Sequence, residues 1–557
     1  MNRMPYLLIF YTFVLGLFTS LVQIPAISRL AVSIGILDEV DERKVHTGSI
    51  PRLGGFAIFF SVLLATILFG DIQRELRAYL AGGIIIFLTG LSDDLQALSP
   101  RQKFMGEFFA SSVAIVLGGQ SLTSLGNLFG YGEVSLGLFF LPFTIIALVG
   151  VINAVNLIDG LDGLAGGITA IASLGFLILA GLYENKDLMF ITAALFGATI
   201  GFLKFNTHPA KIFMGDSGSL FLGYTLGFCA INLAVEGNGN LSPVLPLIVL
   251  ALPIVDTIVV MVGRGRRGER FFAPDTSHLH HRLLALGISH RMVVAALYIA
   301  SYCFALAAII FRTAPDYILF YGLLTILAFG YLSLRVLEWQ HARRGALKIL
   351  SIKLPYLKLY HNPGLQKVYT GLLRGAKFLL VAVFGLTTFI PPIIKGDIGF
   401  VALFLLLFLG VMLCIRDDLH NRLPHFAIYF NGAFVIYLMQ NYTADVKLLG
   451  TPLLLVSDVI FAVLFLVILV LATIRANPSV VLSTPLEYLI IFLVVSVPLL
   501  PESFRQHHDL MMVAGKSVIL FVALKLVLKV RATRNRKIIL AALLSLLIIA
   551  LRNIFSV

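Results

Sequence analysis

The chain has 557 residues, 59% of them hydrophobic and 13% charged, with a formal net charge of +13. Soluble domains average about 45–50% apolar and about 25% charged residues, so the composition excludes a soluble globular protein and indicates an integral membrane one. Lys and Arg concentrate in particular loops, which argues against a nucleic-acid partner and assigns the charge to topology and anionic lipid.

Apolar runs near the ~20 residues that span hydrocarbon recur along the whole length. They predict an all-α polytopic fold. About eleven helices fall before residue 335, near 5–25, 54–70, 79–92, 104–118, 136–153, 163–182, 188–203, 217–233, 241–262, 292–311 and 315–335. The first, "YLLIFYTFVLGLFTSLVQIPA", lacks a small-residue cleavage site and reads as a retained helix. Residues 336–375 are basic with interleaved Leu, Ile and Tyr, either an amphipathic surface segment or a link between bundles. About seven more helices are expected over 376–557, a membrane extension of unassigned role. Its polar loops "CIRDDLHNRLPHF" and "PESFRQHHDL" match no defensible motif. Cys229, Cys303 and Cys414 lie in apolar runs without disulfide or metal spacing.

The basic loops are 26–53, 92–104, 203–213, 263–291, 335–377 and 525–537. The positive-inside rule makes them cytoplasmic. Every unusual polar cluster then falls on that side. Loop one, "DERKVHTGSIPRLGG", offers Lys44, His46 and Arg52 beside a Pro–Gly setting. The third helix ends in "LSDDLQALSPRQKF", where adjacent Asp93 and Asp94 point about 100° apart on a helix. One is expected to face the bundle and the other water. Lys103, beyond the Ser99–Pro100 break, can fold back to the same mouth.

In "NAVNLIDGLDGLAGG" (153–167), Asn153, Asn156 and Asp159 form a slanting polar stripe, followed by Asp162. A plain interhelical turn is the competing reading. In "FMGDSGS", Asp216 and Ser217 stand where a helix begins, as N-caps or as an anion and Mg²⁺ site. "DTSHLHH" carries His278, His280 and His281 among arginines. That loop suits phosphate or sugar-nucleotide contact; zinc and a structural loop are the alternatives.

Carboxylates, carboxamides and cations without a Ser–His–Asp or Cys–His nucleophile suit a doubly charged metal and a pyrophosphate. That is phosphoryl-transfer chemistry. A transporter or flippase of lipid-linked sugars is the rival, but it calls for paired repeats or midplane charges.

Taken in order, "RKVHTGSIPRLGG", the Asp pair, "NAVNLIDGLDGLAGG", "FMGDSGSLFLGY" and "PDTSHLHHRL" resemble the signature set of the polyprenyl-phosphate N-acetylhexosamine-1-phosphate transferases, glycosyltransferase family 4, over about residues 1–335. The resemblance implies transfer of GlcNAc-1-phosphate from UDP-GlcNAc to undecaprenyl phosphate with release of UMP, at the cytoplasmic face of the inner membrane. It implies Mg²⁺ (or Mn²⁺) on Asp216 and Asn156, Asp93 as base or phosphate-positioning acid beside Asp94, and Lys103 on phosphate. Asp159 and Asp162 fall to the nucleotide-sugar site, and the three histidines to the loop that engages the donor. Expected partners are a UDP-amino sugar, a polyprenyl phosphate lipid and a second copy of the chain. Ala97 stands where many members carry a third Asp, which weakens any two-metal mechanism. N-acetylgalactosamine, N-acetylfucosamine and quinovosamine donors remain open.

Overall fold

The computed structural model describes residues 4–38, 50–236, 241–268, 277–344, 363–391, 396–414, 423–475, 497, 509–528 and 536–554. They divide into two compact units, the first running through Ile349 and the second beginning at Leu350. Eleven described helices are long and apolar enough to cross a membrane.

The first unit is built from α1 (Met4–Ser33), α2 (Gly54–Phe69), α3 (Arg74–Gln96), α4 (Pro100–Gly118), α5 (Phe140–Ile158), α6 (Leu164–Leu182), α7 (Lys186–Asn206) and α8 (Gly215–Glu236). It continues with α9 (Val244–Val249), α10 (Ala251–Arg267), α11 (Leu279–Ala285), α12 (His290–Ile310) and α13 (Asp316–Arg344). Strands β1 (Leu37–Asp38) and β2 (Ile50–Pro51) pair antiparallel, Leu37 opposite Pro51, and bring the two ends of loop one together.

Helices α6, α7 and α8 are buried over most of their length and form the centre. Helix α1 lies along α7, α3 against α4 and α8, α5 against α8, and α12 against α6. Two glycines let α2 and α3 approach α8 closely. A Cβ on Gly55 of α2 would stand 2.2 Å from the Gly218 nitrogen, and one on Gly90 of α3 would stand 2.5 Å from Ser217 Cα. Small residues let backbones meet where lipid supplies no hydrophobic drive between helices.

Local chemistry sets the ends. Ser99 caps α4 in a capping box with Gln102, and Pro100 takes the first turn. Helix α3 stops at Ala97, in the left-handed region at φ 47°.

Three boundaries differ from the sequence expectation. The single helix expected over 241–262 is two, α9 and α10, because Pro253 has no N–H to give the Val249 carbonyl. Helix α13 continues to Arg344 through the start of the expected basic link, supported by Arg335–Glu338 at 3.9 Å and Arg343 over the Trp339 ring. A short helix, α11, lies inside the stretch expected to be loop.

The second unit contains α14 (Pro363–Gly385), α15 (Gly396–Cys414), α16 (Leu423–Tyr442), α17 (Leu453–Arg475), α18 (Leu510–Leu528) and α19 (Arg536–Ile554). Its buried Lys516 pairs with Asp458 at 2.6 Å and donates to Gln440 at 2.8 Å. Asp417–Asp418 and most of "PESFRQHHDL" lie outside the described residues.

Candidate active site

The start of α8 organises the polar end of the first unit. Asp94, whose side chain is fully buried, reaches from the last turns of α3 to that start. The Asp216 N–H donates to its Oδ1 at 2.8 Å and the Ser217 N–H to its Oδ2 at 2.9 Å. Gly215, at φ 68°, admits the carboxylate, since a Cβ would lie 2.5 Å from Asp94 Oδ2. The cap of α8 is therefore supplied from another helix. Asp216 does not cap its own helix, and its carboxylate is released for other partners.

Those partners converge. The Asn156 amide of α5 donates to Asp216 Oδ1 at 2.8 Å and to Ser219 Oγ at 2.7 Å. Lys103, one turn into α4, puts Nζ 3.0 Å from Asp216 Oδ2 and 3.6 Å from Asp93 Oδ2. Arg52 approaches the same carboxylate oxygen, with Nη2 4.0 Å from Asp216 Oδ2 and 3.5 Å from Asp94 Oδ1. Asp93 also accepts the Leu98 N–H at 2.6 Å, which fixes it at the end of α3. The adjacent aspartates have thus divided their work. Asp94 is structural, and Asp93 faces the cationic mouth.

Asn153 turns elsewhere, donating to Glu107 Oε2 at 2.5 Å and to the Val149 carbonyl at 3.0 Å. Asp159, half-buried beyond α5, is pushed up to about 7 by burial and by the Asp216 carboxylate. Asp162 is buried and accepts from His208 Nδ1 at 2.7 Å and from the Ala210 N–H at 3.1 Å. His278 and His280 are buried on or beside α11, with His281 next to them, ring centroids of His280 and His281 4.2 Å apart. Lys44, His46 and Asp275 lie outside the described residues.

Residues 76–234 match the model of glycosyl transferase family 4. The chain is 36% identical over 319 residues to the "probable undecaprenyl-phosphate N-acetylglucosaminyl 1-phosphate transferase" of Bacillus subtilis, an alignment covering 57% of this chain and 88% of the relative. The protein belongs to glycosyl transferase family 4. Other family relatives include the Mycolicibacterium smegmatis decaprenyl-phosphate N-acetylglucosaminephosphotransferase, 34% identical over 48% of this chain and 74% of that one. The Yersinia pestis undecaprenyl-phosphate alpha-N-acetylglucosaminyl 1-phosphate transferase is 30% identical over 57% of this chain and 88% of its own length.

Two donor sets in this family member fit cations of different kinds. Asp216 and Asp93 offer hard carboxylate oxygens around the Lys103 ammonium, already a place where positive charge sits, and suit Mg²⁺. Asn156 turns its amide nitrogen to Asp216, an arrangement that orients that carboxylate as an outer ligand partner does. Asp162, His208 and His290 place ligand atoms within 4.8 Å of one another, a mixed nitrogen–oxygen set of the type zinc favours over magnesium. The "HLHH" histidines are not in that group.

Sequence reading missed Glu107, Asp256, Asn206 and His208. Glu107 had a signal, a carboxylate four residues after Lys103 within an apolar helix. Asn206, which accepts the Gly163 N–H and donates to the Ile212 carbonyl, had none beyond its place in "KFNTHPAK".

Proposed function

We infer that the protein transfers N-acetylglucosamine 1-phosphate from a UDP-sugar to a polyprenyl phosphate, the reaction its relatives are named for. The observation that carries the reading is the meeting of Lys103 and Arg52 with Asp216, Asp93 and Asp94 at one end of a membrane bundle. A water-soluble diphosphate and a lipid phosphate can both reach such a place.

In the reaction, an oxygen of the prenyl phosphate forms a bond to the sugar-proximal phosphorus. The bond from that phosphorus to the bridging oxygen breaks, and UMP leaves with the electron pair. A phosphate monoester has its second pKa near 6, so the attacking oxygen is largely ionised at neutral pH. Neutralising and positioning charge therefore outweighs proton abstraction. Lys103 is placed to do this for the phosphates, Arg52 for the donor side, and Asp93 to hold Lys103 in line. Mg²⁺ held by Asp216 and Asp93, with Asn156 orienting Asp216, would screen the diphosphate and stabilise developing negative charge. The family likeness supports assigning Asp159, Asp162 and the α11 histidines to the nucleotide donor. The topology expected from the basic loops supports a site on the cytoplasmic face of the inner membrane.

The test is direct. Full-length protein in detergent is incubated with undecaprenyl phosphate, Mg²⁺ and, in turn, UDP-GlcNAc, UDP-GalNAc and UDP-glucose, and UMP and the lipid product are identified. Formation of polyprenyl-diphosphate-GlcNAc is expected. No UMP from any of the three donors would end the reading.

A further inference from the structure

Asp256, on α10, belongs to none of the motifs that carry the family likeness. Its side chain is buried and both oxygens end on α11. Oδ2 lies 2.9 Å from His278 Nδ1, and Oδ1 accepts the Leu279 N–H at 2.8 Å. An ionised carboxylate can only accept, so the proton between Asp256 and His278 sits on Nδ1. Nε2 is left as the ring atom for another partner, its tautomer set by the bond on the opposite side.

The same short helix is fixed at two further points. Arg282 pairs with Glu338 of α13 through Nε at 2.7 Å and Nη2 at 2.9 Å. His280, 1% exposed and with neither ring nitrogen paired, packs on Gly160, where a Cβ would lie 2.2 Å from its Nε2. Gly160 stands between Asp159 and Asp162, so α11 is registered against the acidic turn that follows α5. Of the three anchors, Asp256 alone holds both a histidine ring and the backbone of α11. Asp94 does the equivalent for α8, gripping two N–H groups so that Asp216 is correctly aimed.

We propose that Asp256 is the positioning residue of the donor side: it fixes the orientation and tautomer of His278 so that Nε2 faces the diphosphate–sugar of the nucleotide donor. The inference rests on the transferase reading above. Asp256 touches no substrate and acts through His278.

Asp256→Asn is the informative variant, because its carbonyl still serves the Leu279 N–H while its NH₂ can only donate to Nδ1. The ring is forced to the opposite tautomer. In full-length protein we expect an unchanged melting temperature, kcat/KM for UDP-GlcNAc lower by about ten- to a hundredfold, and an unchanged KM for undecaprenyl phosphate. The double variant with His278→Ala should fall no further than His278→Ala alone, as expected when one residue acts through the other. Multiplying losses in the double variant, or wild-type kcat/KM in Asp256→Asn, would overturn the proposal. Histidine ¹⁵N shifts supply a readout that needs neither turnover nor a folded variant. His278 should be protonated on Nδ1 in the wild type, and a neutral ring protonated on Nε2 would also overturn it. A failed transferase reading would show separately, as wild-type protein that releases no UMP while its His278 tautomer can still be read.

Discussion

Lys103 and Asp216 meet with Nζ 3.0 Å from Oδ2, although one begins α4 and the other begins α8. The contact exists because the Ser99 capping box fixes where α4 starts and Asp94 fixes where α8 starts. Two helix ends, each pinned by a side chain, bring a cation and a carboxylate together. Both pins are spent on helix-end contacts, yet they decide where the cation and the carboxylate stand.

Replacing Asp216 by Asn should abolish turnover while the protein remains folded. The amide keeps the size of the carboxylate but loses its charge toward Lys103 and toward the proposed Mg²⁺. UMP release should drop by at least about a hundredfold, the scale of losing a preorganised electrostatic group, with the melting temperature in detergent nearly unchanged. Full activity in the purified variant would remove Asp216 from the metal assignment.

Asp94→Ala should fail differently. It strands two buried N–H groups at the start of α8, each costing about 1–3 kcal/mol when unpaired. Thermal unfolding should come earlier, and activity should fall with it. Asp94→Asn retains one acceptor and should lie between Ala and wild type in both measurements. Equal melting temperatures for all three proteins would contradict the capping role.

Gly55→Ala tests how closely α2 and α8 must approach. The added methyl would meet the Gly218 backbone at 2.2 Å and the Ser217 hydroxyl at 2.6 Å, so the helices must separate. Overpacking of this kind typically costs about 1–3 kcal/mol. Reduced yield of folded protein and a lower melting temperature are expected, read by fluorescence-detected size exclusion. Gly150→Ala, where nothing lies within 4 Å, is the matched control.

His280 gives a pH signature. Burial, with the neighbouring His281 adding to it, pulls its pKa from 6.5 down to about 4. Between those values the unfolded chain binds a proton that the folded protein refuses, so stability rises with pH across that window. It is fully present above about 6.5 and is lost as pH falls toward 4. Wild-type melting temperature should therefore drop on acidification from pH 7 to 5, and His280→Gln should show a shallower drop. Identical slopes would mean that α11 does not depend on a neutral imidazole.

The first unit alone should also suffice for chemistry, since the relatives align over only part of this chain while being covered over most of their own length. Residues 1–349, purified from membranes, should release UMP at a rate within about tenfold of the full chain. Complete inactivity of a folded fragment would assign the second unit a role in transfer.

Much of this was written in the sequence. Composition determined a helical membrane protein, because long apolar runs have no other stable partner than lipid and one another. The polar motifs stood out against the apolar runs, and their order indicated the family. Asp93 and Asp94 were legible as divergent neighbours, since a helix turns about 100° per residue. What stayed hidden was which aspartate turned inward. Nothing in "SDDL" says that Asp94 meets the backbone of "GDSG", because that bond joins segments far apart in the chain. Asn153 shows the same limit, one turn from Asn156 yet paired with Glu107 in place of Asp216. Asp256 carried only the signal Glu107 did, a carboxylate within an apolar run, with nothing to name its partner. Its part was decided only when α10 and α11 packed and a buried carboxylate needed donors. Sequence fixes what a residue can offer; packing alone decides which partner is within 3 Å to accept it.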